Sequence, residues 1–189
     1  MVLEHPAIVR EVRLMKSHKL MPHPDCPPPD SVKVAVGWTL DAEALALEVR
    51  VSDPFHTILW PAPASGRSDN LWQTSCFEVF TGSATGTTYA EFNLSPSGAW
   101  AAYAFDDTRT GMRDIDLNAP PQIAHTASNR WHATIDLTGL DDLIGPAPWG
   151  LAITAVIEAR DGSKSFWSLA HPPGKPDFHH ADCFAARLG

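Results

Sequence analysis

Between residues 31 and 40 every second position is apolar. Val32, Val34, Val36, Trp38 and Leu40 share one side, and Lys33, Ala35, Gly37 and Thr39 share the other. Residues 45–51 repeat the pattern, with Leu45, Leu47, Val49 and Val51 set against Ala46, Glu48 and Arg50. Side chains on a strand alternate with a period of two, so both segments are predicted strands, joined by a hairpin loop at 41–44.

A second group of strands follows in the stretch 67–105. Residues 75–81 (SCFEVFT) are rich in apolar groups and end at Gly82, and 82–86 has the small residues of a turn. Residues 88–95 (TYAEFNLS) alternate strictly: Ala90, Phe92 and Leu94 point one way, and Tyr89, Glu91, Asn93 and Ser95 the other. Pro96-Ser97-Gly98 makes a tight turn, and 99–105 returns. The rest of the chain predicts a first strand at 8–14, a hairpin of 121–126 with 130–137, one helical turn at 140–143, and a long strand at 150–159. The Asp161-Gly162 turn leads into 164–170, and 183–188 closes the fold. Residues 21–29 (MPHPDCPPP) hold too many prolines for regular structure. Roughly ten short strands with little helix predict an all-β antiparallel sandwich of the immunoglobulin or jelly-roll kind.

Composition narrows the partners. The chain has 189 residues, within the range of one domain, with 17 Pro and 12 Gly that suit many turns. A net charge of -8 argues against nucleic acid and anionic membrane, since both call for a basic surface. The 3 cysteines, Cys26, Cys76 and Cys183, are odd in number and widely spaced, so neither a disulfide framework nor a zinc site is expected. Residues 1–20 lack the apolar core of a signal peptide and nothing is long enough to span a bilayer, so a cytoplasmic protein is expected.

The polar side of 88–95 carries the candidate chemistry. Glu78 is expected on the neighbouring strand facing the same way, because Phe77 and Val79 make the better core pair. Such a row could simply face solvent, and either carboxylate could pair with Arg67 or Lys175. A sugar, however, presents an apolar ring face and a rim of hydroxyls, which calls for an aromatic plate beside mixed donors and acceptors. Trp72, Trp100 and Tyr103 could supply plates, with Tyr89, Glu78, Glu91 and Asn93 on the rim and Arg67 as a donor fork. Trp100 and Tyr103 have opposite parity on 99–105, so only one can face a ligand. Trp38, Trp131, Trp149 and Trp167 lie on apolar faces and belong to the core.

The segments Arg67-Ser68-Asp69, Leu71-Trp72-Gln73, Cys76-Phe77-Glu78, Glu91-Phe92-Asn93, Ser95-Pro96-Ser97-Gly98 and Trp100-Ala101-Ala102-Tyr103 resemble the DOMON-like superfamily, which includes the family 9 carbohydrate-binding modules. Together with 170–180 (AHPPGKPDFHH), they are most similar to its MurB-like subgroup. The resemblance implies a curved antiparallel sandwich that binds sugar or haem on a sheet face, as a non-catalytic module. Lys175 and His179 would reach over that sheet. Haem would need two axial ligands, for which Met112 with His171 or Lys175 are the candidates, and no CxxCH is present for covalent attachment. The pair Glu78 and Glu91 also admits a glycoside hydrolase, where two carboxyl groups share acid and nucleophile work. The donors in 171–183 (three His, Asp177 and Cys183) would suit a transition metal, but their spacing matches no zinc pattern, and no metal site is assigned. The expectation is a binding module for a saccharide-like molecule, with no cofactor and no turnover; a domain that binds only another protein is the further alternative.

Overall fold

Alternating strands with one apolar face must bury that face, and here two sheets do so against each other. A computed structural model describes residues 15, 17–41, 43–83 and 86–189; the strand expected at 8–14 lies outside them. The smaller sheet contains β1 (His18–Lys19), β3 (Lys33–Asp41), β4 (Ala44–Ser52), β10 (Gln122–Ala127) and β11 (Arg130–Asp136), in the order β1-β3-β4-β11-β10. The larger contains β2 (Met21–Pro22), β5 (Gly66–Arg67), β6 (Cys76–Ser83), β7 (Tyr89–Leu94), β8 (Ala99–Phe105), β12 (Trp149–Glu158) and β13 (Lys164–Ser168), in the order β2-β13-β12-β6-β7-β8-β5. Two further strands join it: β9 (Arg113–Asp114) pairs with β8, and β14 (Ala186–Leu188) with β12. All pairings are antiparallel except that of β5 with β8. The expected antiparallel sandwich is therefore the observed fold.

The core lies between the sheets. Val34, Val36, Leu45, Leu47, Val49, Trp131 and Ile135 from the smaller sheet meet Phe77, Val79, Phe92, Leu94, Leu151 and Ile153 from the larger. Phe77 meets Trp131 edge-on at 5.5 Å, one direct contact across the layers. Trp131, Trp149 and Trp167 are buried and Trp38 packs half-buried against the same core, as their apolar settings predict. Burying each large side chain contributes on the order of 1.5–3 kcal/mol.

One local feature differs from expectation. Met21 and Pro22 pair with Ser168 and Trp167, so the proline-rich segment does contribute a strand, though only at a sheet edge where proline's missing N–H is tolerated. The turn after β7 needs a glycine: Gly98 has φ +105°, and a Cβ there would stand 2.7 Å from the Ala64 carbonyl oxygen. The β10 edge strand is mostly exposed, and its register against β11 shifts between His125 and Ala127. A short helix, α1 (Leu140–Ile144), occupies the expected helical turn. Among the described residues no helix is long and apolar enough to cross a membrane.

Candidate ligand-binding site

The larger sheet is buried on its second face as well. Every residue of β7 is buried, including Tyr89, Glu91 and Asn93. Two loops beyond the sheet cause this. Residues 106–112 fold back from β8, and 171–183 cross over from β13, placing Phe178 and Cys183 in a second apolar cluster with Phe80, Tyr89, Tyr103, Phe105 and Val156. The polar side of β7 thus faces a covered cavity rather than open solvent.

Strand register arranges the polar groups in rows. Ser168, Thr154, Glu78 and Asn93 are successive cross-strand partners on β13, β12, β6 and β7. Phe80, Glu91, Tyr103 and Asp114 form the next row, on β6, β7, β8 and β9. Glu78 and Glu91 are therefore diagonal neighbours on one face, as the parity of the two strands predicts.

Between the rows and the loops lies a cavity of about 730 Å³. Its polar lining includes Asp69, Glu78, Glu91, Asp114, Arg109 and His179. Its apolar lining includes Trp72, Phe80, Phe105, Met112, Phe166 and Phe178, with the ring of Tyr103 between the two kinds.

Hydrogen bonds fix the polar groups. Glu78, 3% exposed, accepts at Oε2 from the Thr154 hydroxyl at 3.0 Å. Glu91, 6% exposed, accepts at Oε1 from the Asn93 amide at 2.6 Å, and Asn93 accepts in turn from the Cys76 thiol at 3.8 Å. His179 Nδ1 lies 2.7 Å from the Tyr89 hydroxyl, while its Nε2 lies 3.7 Å from Glu91 Oε2. The Arg109 backbone N–H donates to that same Tyr89 oxygen at 3.1 Å. The tyrosine proton is then free to point at His179 Nδ1, which puts the imidazole proton on Nε2, facing Glu91. The Tyr103 hydroxyl donates to Asp69 at 2.6 Å. Arg109 pairs with Asp177 at 2.8 Å, tying the two covering loops together, and Asp177 also accepts from the His179 N–H at 3.1 Å.

Burial governs the protonation of these groups. It pushes Glu78 up from 4.5 to about 8, helped by the Glu91 charge and opposed by the Thr154 hydrogen bond. Glu91 is raised by burial too, against the Asn93 hydrogen bond and the Arg109 charge. His179 is held down to about 4 by burial and by Arg109. At neutral pH the cavity therefore contains a protonated Glu78 and an uncharged His179.

Several expected site residues take other places. Trp100 packs on the core side, because Leu94 is its cross-strand partner and Tyr103 pairs with Glu91; of the two rings, Tyr103 is the one in the cavity. Arg67 is not among the lining residues: its guanidinium pairs with Asp114 at 2.6 Å, donates to the Ala102 carbonyl at 3.1 Å and sits 5.3 Å from the centre of the Tyr103 ring. Lys175 is exposed on the covering loop and also outside the lining. Neither cation pairs with Glu78 or Glu91, so the ion pairs allowed for those carboxylates do not form. Tyr89 and Asn93 stand just behind the surface and act through His179 and Glu91. Trp72, Glu78, Glu91, Tyr103 and His179 do line the cavity together.

Sequence reasoning missed Asp69, Arg109, Asp114, Phe166 and Phe178 as lining residues. Phe80 and Phe105 were legible, since they share parity with Glu78 and Tyr103. Arg109 and Asp114 lie in a charged segment whose only signal was its loop-like composition.

No family model matches this chain, and no curated protein matches it. Among solved structures it is similar to a protein from Bacteroides uniformis ATCC 8492 described as a "putative carbohydrate-binding protein". The match has a TM-score of 0.64 and 13% identity, and covers 89% of this chain and 84% of the other. At that identity the likeness is one of fold.

Proposed function

We propose that this chain is a non-catalytic binding module for a saccharide or sugar-like small molecule, seated in the cavity on the outer face of the larger sheet. One observation carries the reading: the cavity sets the two carboxyl groups of Glu78 and Glu91 beside the rings of Trp72, Tyr103 and Phe105. A protonated Glu78 donates to a sugar hydroxyl and a carboxyl oxygen of Glu91 accepts from one, while an aromatic ring covers the apolar face. The likeness to the DOMON-like superfamily and to the fold of the Bacteroides uniformis protein supports the same reading.

Haem has less support. Met112 lines the cavity, but of its expected partners His171 bonds the Met21 carbonyl at 2.8 Å and Lys175 lies outside the lining. A carboxyl pair at the cavity floor also fits a hydroxylated ligand better than an apolar macrocycle.

Calorimetry and glycan-array binding of the full chain test the proposal. Trp72 is 50% exposed, so Trp72→Ala removes a plate without removing core. The variant is expected to bind about ten-fold more weakly with an unchanged urea midpoint. A glycan bound equally well by both proteins would place the site elsewhere.

A further inference from the structure

We infer that the saccharide held in this cavity carries a protonated amine, with its ammonium lodged between Glu78 and Glu91. The inference rests on the saccharide reading and goes further by naming a charged group on the ligand. Among the described residues four carboxyl groups, on Asp69, Glu78, Glu91 and Asp114, line the cavity against one guanidinium, that of Arg109. The outer two are already satisfied: Asp114 pairs with Arg67, and Asp69 takes the Tyr103 hydroxyl. Arg109 is committed to Asp177.

The inner two differ. Glu78 and Glu91 are both more than nine-tenths buried, and among the described residues neither pairs with a lysine or arginine. The cation-capable neighbour of Glu91 is His179, which burial keeps neutral. Among the described residues one side-chain hydrogen bond reaches Glu78, from the Thr154 hydroxyl to Oε2. Buried carboxylates are ordinarily matched by a cation, because their desolvation is costly. Here a proton on Glu78 takes the place of that cation.

An ammonium group replaces the proton better than a hydroxyl can. It brings donors to both carboxyl groups and a charge that acts strongly in a water-poor cavity. The rings of Phe80 and Tyr103, flanking Glu91 in its row, add attraction for a cation at their faces. Among the described residues the titratable and charged groups around Glu78 are Cys76 on its own strand, Glu91 on β7, Tyr103 on β8, Arg109 on the 106–112 loop and His179 on the C-terminal loop. When the ammonium enters, the Glu78 proton leaves to solvent.

A glycan array presenting free-amine sugars beside their N-acetyl and hydroxyl counterparts tests this with the full chain. Glucosamine, N-acetylglucosamine and glucose follow in solution by calorimetry at about pH 6.5, where an aliphatic ammonium is protonated. Free-amine sugars are expected to bind at least about ten-fold more tightly than their counterparts. Glu78→Gln and Glu91→Gln are each expected to lose that preference while keeping the circular dichroism spectrum. Calorimetry in two buffers of different ionisation enthalpy is expected to register proton release from the wild type and none from Glu78→Gln, a readout that separates a ligand contact from a merely structural effect.

Equal binding of neutral or N-acetylated sugars would overturn the ammonium inference and leave the saccharide reading standing. Binding of choline with no glycan bound would overturn the saccharide reading and, with it, the inference as stated. Failure of every probe would overturn both.

Discussion

Replacing Glu78 by Gln is expected to change how stability depends on pH, within a definable window. In the folded chain burial raises this carboxyl from 4.5 to about 8. Between those values the native state holds a proton that the unfolded state has released, so stability falls as pH rises, by about 1.4 kcal/mol per unit. His179 acts in the opposite sense. Burial lowers it from 6.5 to about 4, so between those values the unfolded state holds the extra proton and stability rises with pH. The two effects offset one another up to pH 6.5. From there to about 8 Glu78 acts without that opposition, and the wild type is expected to lose about 2 kcal/mol. Titration of the buried thiols lies higher, because Cys76 is raised well above 9.0 and Cys183 to about 11. Glutamine keeps the shape and can still accept from Thr154 but cannot ionise. Urea denaturation across this range should therefore show a falling midpoint for the wild type and a flatter one for Glu78→Gln. The same pH slope in both proteins would refute the assignment of Glu78 as a buried acid.

Phe92 is fully buried between the sheets, so Phe92→Ala should cost about 3–5 kcal/mol in urea unfolding. Asn93 is 1% exposed and holds Glu91, so Asn93→Ala should cost about 1–3 kcal/mol and weaken any ligand that contacts Glu91. Gly98→Ala should destabilise by about 1–3 kcal/mol, because its positive φ and the nearby Ala64 carbonyl both oppose a side chain; an unchanged thermal midpoint would show that the turn relaxes freely. A panel of aryl glycosides should stay intact with the wild type, and hydrolysis abolished by Glu78→Gln or Glu91→Gln would show catalysis instead.

The period-two pattern located both members of the β3–β4 hairpin and the β6–β8 meander, because each has one face that must be apolar. Parity also placed Glu78, Glu91 and Asn93 together. It could not decide between Trp100 and Tyr103, since both sides of 99–105 are apolar or aromatic; the pairing of Tyr103 with Glu91 settles it. Nor does a strand pattern reveal that its polar side is roofed. The roof comes from residues 106–112 and 171–183, whose irregular backbone has no periodicity to read. For the same reason Arg109, Phe178 and the pairing of Arg67 with Asp114 were out of reach, as they depend on contacts between segments far apart in sequence.

The exposed β10 strand bears on how copies of this chain behave at high concentration. An edge strand presents backbone groups that another chain can pair with, which is a route to aggregation. At the larger sheet's far edge that surface is shortened by the two-residue β5 and β9, and at β1 the strand is equally short. Among the described strands β10 is the long edge, and two devices blunt it. Pro120 and Pro121 precede it with no N–H to offer, and the register shift between His125 and Ala127 bends the strand out of the flat line that templated growth requires. Self-association is thus opposed at the sheet opposite the cavity, by backbone shape rather than by charge.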